Sequence, residues 1–192
     1  MPRLILASAS PRRLDLLRQI GIVPDAIIHP EIDETPRPRE LPAVYARRLA
    51  ESKARRIARD HAGDFVLAAD TVVACGRRIL PKAESAEQAR SCLALLSGRR
   101  HRVLSGLALA DAAGRIHIRV AVTTVAFKPL SAAEVSTYLA GGEWRGKAGG
   151  YAIQGRAAVF ARWLSGSYSN VVGLPLYETA ALLRGCGYSA MP

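Results

Sequence analysis

A single bilobed α/β domain, with a mixed and largely central β-sheet flanked by helices, is the fold class this 192-residue sequence predicts. Three observations carry it. Short apolar runs alternate with segments of helical period, the signature of strands feeding helices. Glycine and proline fall at the joints between those segments. Midway along the chain two long strands follow each other with only a short turn between them, so the sheet has antiparallel pairs as well. No internal repeat, low-complexity tract or linker divides the sequence, and residues 1–192 suit one sizeable domain with a real core.

The elements follow in order. Residues 3–7 read as a buried strand. A helix over 11–20 places Leu14, Leu17 and Ile20 at helical spacing, and Gly21 closes it. Residues 26–28 form a second short strand, Pro30 to Pro42 a proline- and charge-rich loop, and 42–60 a long basic helix. The apolar run Phe65–Ala69 is a strand covered on both faces, continuing through Val72–Cys75 to a turn at Gly76. Ser85 and Gln88 form a capping box for a helix ending near Gly98. Two strands over 101–127 are joined by Asp111–Gly114. The second sets Ile116, Ile118, Val120 and Val122 on one face against Arg115, His117 and Arg119 on the other. Ser131 and Glu134 cap a helix that stops at Gly141 and Gly142. Residues 146–155 are glycine-rich, 157–164 read as a strand, and Pro175 opens a last helix ending near Gly185.

Composition narrows the function. With 49% hydrophobic and 22% charged residues, the sequence is that of an ordinary globular protein. No apolar run approaches the roughly 20 residues that span a bilayer, and the N-terminal residues do not read as a signal peptide. Cys75, Cys92 and Cys186 are scattered, without C-x-x-C spacing, so neither a disulfide framework nor a zinc site is expected and a reducing cytoplasm is. The net charge of +11 favours polyanionic partners: nucleic acid, an anionic membrane surface or small phosphorylated substrates. Against a nucleic-acid module stand the 6% aromatic content and the lack of a helix-turn-helix, stacking-sheet or zinc-finger pattern.

Four polar groupings are candidates for chemistry. In Leu4–Arg13 an apolar run breaks into a small-residue turn. Ser10 stands at a helix N-cap, where its side chain would cap free N–H groups, and Pro11 at the first helical position. Arg12 and Arg13 follow in the first turn, where the dipole already favours anions, so a bound anion would relieve them. Arginine also meets phosphate bidentately. The second grouping, Glu31-Ile32-Asp33-Glu34, could hold a hard cation through oxygen ligands. Third, Asp70 and Thr71 follow an apolar strand, with Lys82 a short distance on; ligands gather at the carboxyl ends of strands in α/β folds. Last, Gly146–Gly155 offers close backbone approach and an amide, Gln154, that can read a base edge. Each has a plainer reading: solvated arginines, an acidic loop, a turn-capping aspartate, a flexible connection. His29, His61, His101 and His117 show no ligand spacing and read as surface or core residues. Glu51 and Lys53 are an ordinary helix-face pair unless that face lines a cleft.

Together these stretches resemble a known family. Leu6–Arg13, Ile32–Glu34, Ala69–Val73, Lys147–Gly155 and Gly166–Leu176 are similar, in order along essentially the whole chain, to the septum-formation-associated nucleotide pyrophosphatases of the Maf family. The resemblance implies hydrolysis of a nucleoside triphosphate to the monophosphate and pyrophosphate, with a divalent cation (Mg²⁺ or Mn²⁺), in a nucleotide cleft between two lobes. It also implies a cytoplasmic protein, often a homodimer, with a house-cleaning or division-restraining role. No stable nucleic-acid or membrane partner is expected. By motif position Asp70 would be the catalytic carboxylate, accepting a proton or holding the metal with Glu34. Ser8, Arg12, Arg13, Lys53 and Lys82 would contact the phosphates. Arg12, Thr71 and Gln154 match the branch acting on dTTP and UTP, where the branch acting on methylated GTP carries Trp, Gln and Glu; CTP or modified pyrimidine nucleotides would be further candidate substrates. One departure stands out: Leu80-Pro81-Lys82-Ala83 places proline before the lysine where the family has Gly-Lys-Pro. The competing readings are a basic nucleic-acid-binding protein and a division-control protein acting through partners without catalysis.

Overall fold

A computed structural model describes residues 2–188. Seven strands form one sheet in the order β2-β1-β3-β5-β6-β7, with β4 also pairing β3. The parallel part comes first: β1 (Leu4–Ala7) lies between β2 (Ala26–Ile28) and β3 (Phe65–Cys75). Parallel neighbours need crossovers, and α1 (Pro11–Gln19) and α2 (Pro42–Ala58) supply them. The rest is antiparallel: β4 (Arg78–Leu80), β5 (Arg100–Ala110), β6 (Ile116–Phe127) and β7 (Ala161–Ser165). Helices α3 (Ala86–Leu96), α4 (Ala132–Ala140), α5 (Tyr168–Val172) and α6 (Leu176–Gly185) complete the chain.

Two lobes share the long strands. In one, the α2 face of the sheet buries Ile5, Val66 and Ala68 against Ala50, Ala54 and Ile57, while the other face buries Leu4, Leu67 and Leu109 against Leu17 and Leu183. The second lobe packs Val73, Leu93, Val103, Phe127, Trp144, Tyr151 and Phe160 around α3 and α4.

The feature that positions everything else is a gap along one edge of β3. Its first residues, Phe65–Ala68, pair with β1, and Val73–Cys75 pair with β4, whereas the other edge pairs with β5 from Val66 to Ala74. Between Ala69 and Val72 the first edge therefore carries no strand, and Asp70 and Thr71 lie in that opening. Asp70 was expected just after a strand; it sits inside one, because the apolar run and Val72–Cys75 are a single extended element. The carboxyl-end rule still applies, since the opening begins where β1 ends.

Helix α2 lies unusually close to the sheet beside that opening. Gly106 pairs with Asp70 in register, and a Cβ on Gly106 would stand 2.0 Å from the Ala46 carbonyl oxygen. Glycine at 106 and alanines at 46, 50 and 54 let the helix backbone approach, which brings Lys53 over Asp70.

Several local expectations change. Ser10 takes the N-cap position of α1 in extended geometry, but its side chain makes no capping bond; its own N–H donates to Ser8 Oγ at 3.1 Å. Ser85 Oγ accepts from Gln88 N, yet the Gln88 carbonyl turns to the Glu84 N–H, so the box is only half formed. Residues 157–164 are not one strand: a 3₁₀ turn covers Arg156–Phe160 before β7, started by the Glu143 carboxylate accepting from Arg156 N. On β6, Ile116 and Ile118 pack on the α2 side, but further along Ala121, Thr123 and Val125 are buried and Val122 is 49% exposed. There the second lobe covers the opposite face. Pro175 caps α6 rather than opening it, its carbonyl accepting from Thr179 N and Oγ1. The short β4 and α5 carry no periodic signal and were not foreseen.

A cationic cleft at the sheet edge

The opening in β3 is the floor of a cleft of about 390 Å³ between the lobes. The nine residues to which motif position gives a role all line it: Ser8, Arg12, Arg13, Glu34, Lys53, Asp70, Thr71, Lys82 and Gln154. Successive strand residues point to opposite faces, so Asp70 and Thr71 look to different sides of the sheet. Asp70 meets α2 and Thr71 meets α1 and α5.

On the Asp70 side a charge ladder crosses the cleft. Lys53 Nζ donates to Asp70 Oδ1 at 2.5 Å and stands 2.6 Å from Glu34 Oε1; Lys82 Nζ donates to Glu34 Oε2 at 2.5 Å. An ammonium only 6% exposed needs such pairing. Partial burial alone pushes the Glu34 carboxyl up, but the hydrogen bonds and charges of Lys53 and Lys82 outweigh it and bring it down to about 2. Tyr45 Oη donates to the Glu34 carbonyl at 2.6 Å, fastening the loop that carries this carboxylate.

On the Thr71 side Arg13 is held at every nitrogen. Nε donates to the Gly173 carbonyl at 2.8 Å, Nη1 to Ser8 Oγ at 3.1 Å and Nη2 to Thr71 Oγ1 at 3.3 Å. Thr71 Oγ1 is itself 3.0 Å from Ser105 Oγ. All Arg13 acceptors are neutral, and burial lowers its pKa, as it does that of Arg12. Because Ser10 leaves the first turn of α1 uncapped, that turn opens on the same space.

The far wall belongs to the second lobe. The segment Arg145–Ala148 lines it together with Tyr151, Ala152 and Gln154. Pro81–Ala83 is laced to this segment: Gly149 N donates to Pro81 O at 3.0 Å, Ala83 N to Lys147 O at 3.1 Å and Gly146 N to Ala83 O at 2.8 Å. Proline at 81 thus supplies a carbonyl and Lys82 still reaches the cleft, whatever the altered order of the motif. The glycines of this stretch serve packing as well as approach. Gly149, at φ +69°, would place a Cβ 2.9 Å from Val73 Cγ1.

Sequence reasoning missed part of the lining. His29, expected at the surface or in the core, borders the cleft, as do Arg145, Lys147 and Gly173. The two cations flank a glycine at the start of a stretch already marked, and Gly173 falls in the marked stretch Gly166–Leu176; those were the available signals. Glu51 does not take part, pairing instead with Arg55 at 2.8 Å, and Asp33 Oδ1 accepts from Thr35 N at 2.8 Å within its own loop. With Arg145 and Lys147 counted, six cationic side chains face two carboxylates, an excess of four positive charges.

Asp111, His117 and Cys186, outside the cleft lining, have ligand atoms within 4.8 Å of one another. The Asp111 carboxylate is already engaged, accepting from Ala113 N, Arg115 N and Arg115 Nε and pairing with His117 Nε2. That cluster closes the β5–β6 hairpin. Among the described residues no helix is long and apolar enough to cross a membrane.

Fold and cleft together define an α/β protein with a preformed cationic cleft at an interrupted sheet edge. The family model described as Maf-like protein matches residues 3–186, and the chain belongs to the Maf family. It is 65% identical over 185 residues to a dTTP/UTP pyrophosphatase of Rhodospirillum rubrum, covering 96% of this chain and 88% of that one. Identity is 62% over 189 residues to a dTTP/UTP pyrophosphatase of Paramagnetospirillum magneticum, covering 98% and 100%. Among solved structures, a HAM1 protein from Coxiella burnetii shares the fold at a TM-score of 0.52 and 16% identity, over 96% of this chain and all of that one.

Proposed function

We propose that the cleft hydrolyses nucleoside triphosphates, dTTP and UTP foremost, to the nucleoside monophosphate and pyrophosphate. The observation that carries this reading is Arg13: a half-buried guanidinium whose hydrogen bonds all go to neutral acceptors, beside a second arginine and an open helix start. Such a group is costly unless an anion completes it. The names of the relatives support the pyrimidine triphosphates and the bond cleaved.

In this reading Ser8, Arg12, Arg13 and Lys82 bind the phosphates, with Arg145 and Lys147 closing on them from the far wall. Attack by water is resisted by the charge of the chain of phosphates, and fixed cations that neutralise the departing pyrophosphate lower that barrier. Asp70 accepts the proton of the attacking water at the α-phosphate. Lys53 was expected on a phosphate; its two carboxylate contacts support a role in holding Asp70 and Glu34 in place. Thr71 would bear on substrate choice through Arg13, which it touches, and Arg12 and Gln154 through the substrate itself. Two carboxylates bordering a phosphate-sized space suit a divalent cation that takes its remaining oxygens from substrate and water. Glu34 and Asp70 would hold Mg²⁺ or Mn²⁺, which when bound would screen the phosphate charge. We place the reaction in the cytoplasm, where free thiols at Cys75, Cys92 and Cys186 stay reduced.

A panel of purine and pyrimidine triphosphates with Mg²⁺ or Mn²⁺, read by pyrophosphate release, tests the proposal. Preferential turnover of dTTP and UTP is expected. Equal turnover of all triphosphates would remove the substrate assignment, and no pyrophosphate from any of them would remove the reaction.

A further inference from the structure

We infer that His101 is a positioning residue for nucleotide recognition, acting through the Tyr151 hydroxyl on the cleft wall that carries Gln154. The inference rests on the proposed function. His101 stands at the start of β5, only 2% exposed, and its Nε2 is 2.8 Å from Tyr151 Oη. Edge-to-face packing fixes both rings: His101 on Phe127 at 4.9 Å, Phe127 on Tyr151 at 4.9 Å, and His101 on Tyr151 at 5.5 Å.

The pair is an expensive way to fill a core. His101 Nδ1 is buried with no hydrogen-bond partner among the described residues. Leaving a buried polar atom without a partner is costly, and two phenylalanines of similar shape would avoid it. Burial also lowers the imidazole to about 4, so it is neutral at ordinary pH and interacts through its hydrogen bond rather than a charge. What that bond fixes is Tyr151, a residue of the cleft lining three positions before Gln154. Next to it, Ala152 N donates to Tyr138 Oη at 3.1 Å, so two aromatic side chains of the second lobe pin successive residues of this wall. Gly155 N then donates to Ala152 O at 3.1 Å, turning the backbone so that Gln154 is presented to the cleft. Arg13, by contrast, is held by Ser8, Thr71 and Gly173, none of which belongs to this cluster.

The separation gives the test. Tyr151→Phe deletes one oxygen and keeps the ring; His101→Phe keeps the packing on Phe127; both are compared with the double variant and the parent. Each single variant is expected to raise KM for dTTP about tenfold with kcat within about twofold, the scale of one buried hydrogen bond. Inhibition by inorganic pyrophosphate, which reads only the phosphate end, should stay at the parent value. The double variant should be no worse than the worse single one, because the two substitutions remove the same bond. KM unchanged in Tyr151→Phe overturns the inference, even if His101→Phe fails to fold. KM and pyrophosphate inhibition weakening in parallel overturns it too, since that is general damage. A parent that releases no pyrophosphate overturns the functional reading, and this inference with it.

Discussion

The two walls of the cleft are built in opposite ways. On the first, the central charged groups are tied to fixed partners: Arg13 to Ser8, Thr71 and Gly173, and Lys53 to Asp70 and Glu34. On the second, Arg145 lies exposed over the Trp144 ring at 4.9 Å, Lys147 Nζ reaches only the Arg145 carbonyl, and Gln154 is exposed. Groups held rigidly before a ligand arrives lose little entropy on binding and suit a transition state; free side chains can adjust to different ligands. In the proposed reading the fixed groups, Arg13 and Asp70, would serve the phosphate chemistry, and the exposed Gln154 would serve the choice of base.

Asp70→Asn attacks the rigid wall at its centre and should have the largest effect. Turnover should fall by about a thousandfold, within the range for loss of a positioned acid–base group, with the fold retained. Near-parent rates with Mg²⁺ would separate rigidity from catalysis and end the assignment. Next comes Gly106→Ala, which touches no ligand. Its Cβ would collide with backbone of α2 at Ala46, so the helix must move and take Lys53 with it. Overpacking of this kind costs about 1–3 kcal/mol. Calorimetry should show a lower melting temperature, and kcat should fall further than KM rises. Gly146→Ala on the opposite wall meets open space, at a φ of +64°, and should cost stability without the same loss of kcat. Equal kcat losses in the two glycine variants would erase the distinction between the walls.

Gln154→Glu probes the adaptable wall. Selectivity for dTTP and UTP over purine triphosphates should drop about tenfold, the scale of one recognition hydrogen bond, while pyrophosphate inhibition holds. An unchanged substrate profile would move base recognition elsewhere.

The same contrast explains what was legible in the sequence. The first wall is continuous with strong local signals: an apolar run, a proline at a helix start, arginines in the first turn, an aspartate among buried aliphatics. Its fold was read almost to the residue at β2 and closely at α1 and α2. What was not legible was the interruption of β3, since it depends on where β1 stops and β4 begins on a neighbouring edge. The ion-pair ladder was likewise hidden, because Glu34, Lys53, Asp70 and Lys82 lie on four separate segments that only the sheet brings together. The second wall gave weaker signals throughout. The 3₁₀ turn has no period to detect; nor, on the first wall, does the five-residue α5, and Gly173 matters there through its carbonyl, which any residue would have.

Acid should finally take the walls apart at different pH values. In the second lobe the folded pKa of His101 lies near 4, below the ordinary 6.5, because burial disfavours the charged ring. A depressed value means the unfolded chain binds the proton first, so this contribution to stability is full above 6.5 and is lost as pH falls to about 4. In the first wall Glu34 is also depressed, from 4.5 to about 2, burial being outweighed by Lys53 and Lys82. Its contribution persists above 4.5 and disappears only as pH falls toward 2. Denaturant titrations across this range should therefore show two regimes. His101→Phe should flatten the upper one and leave the lower intact. Glu34→Gln should flatten the lower one only in part, because Asp111, also held near 2 against burial by His117 and Arg115, titrates there as well. A single regime, or one moved by the wrong variant, would mean that the two walls unfold as one unit and that their difference is confined to the ligand-facing side chains.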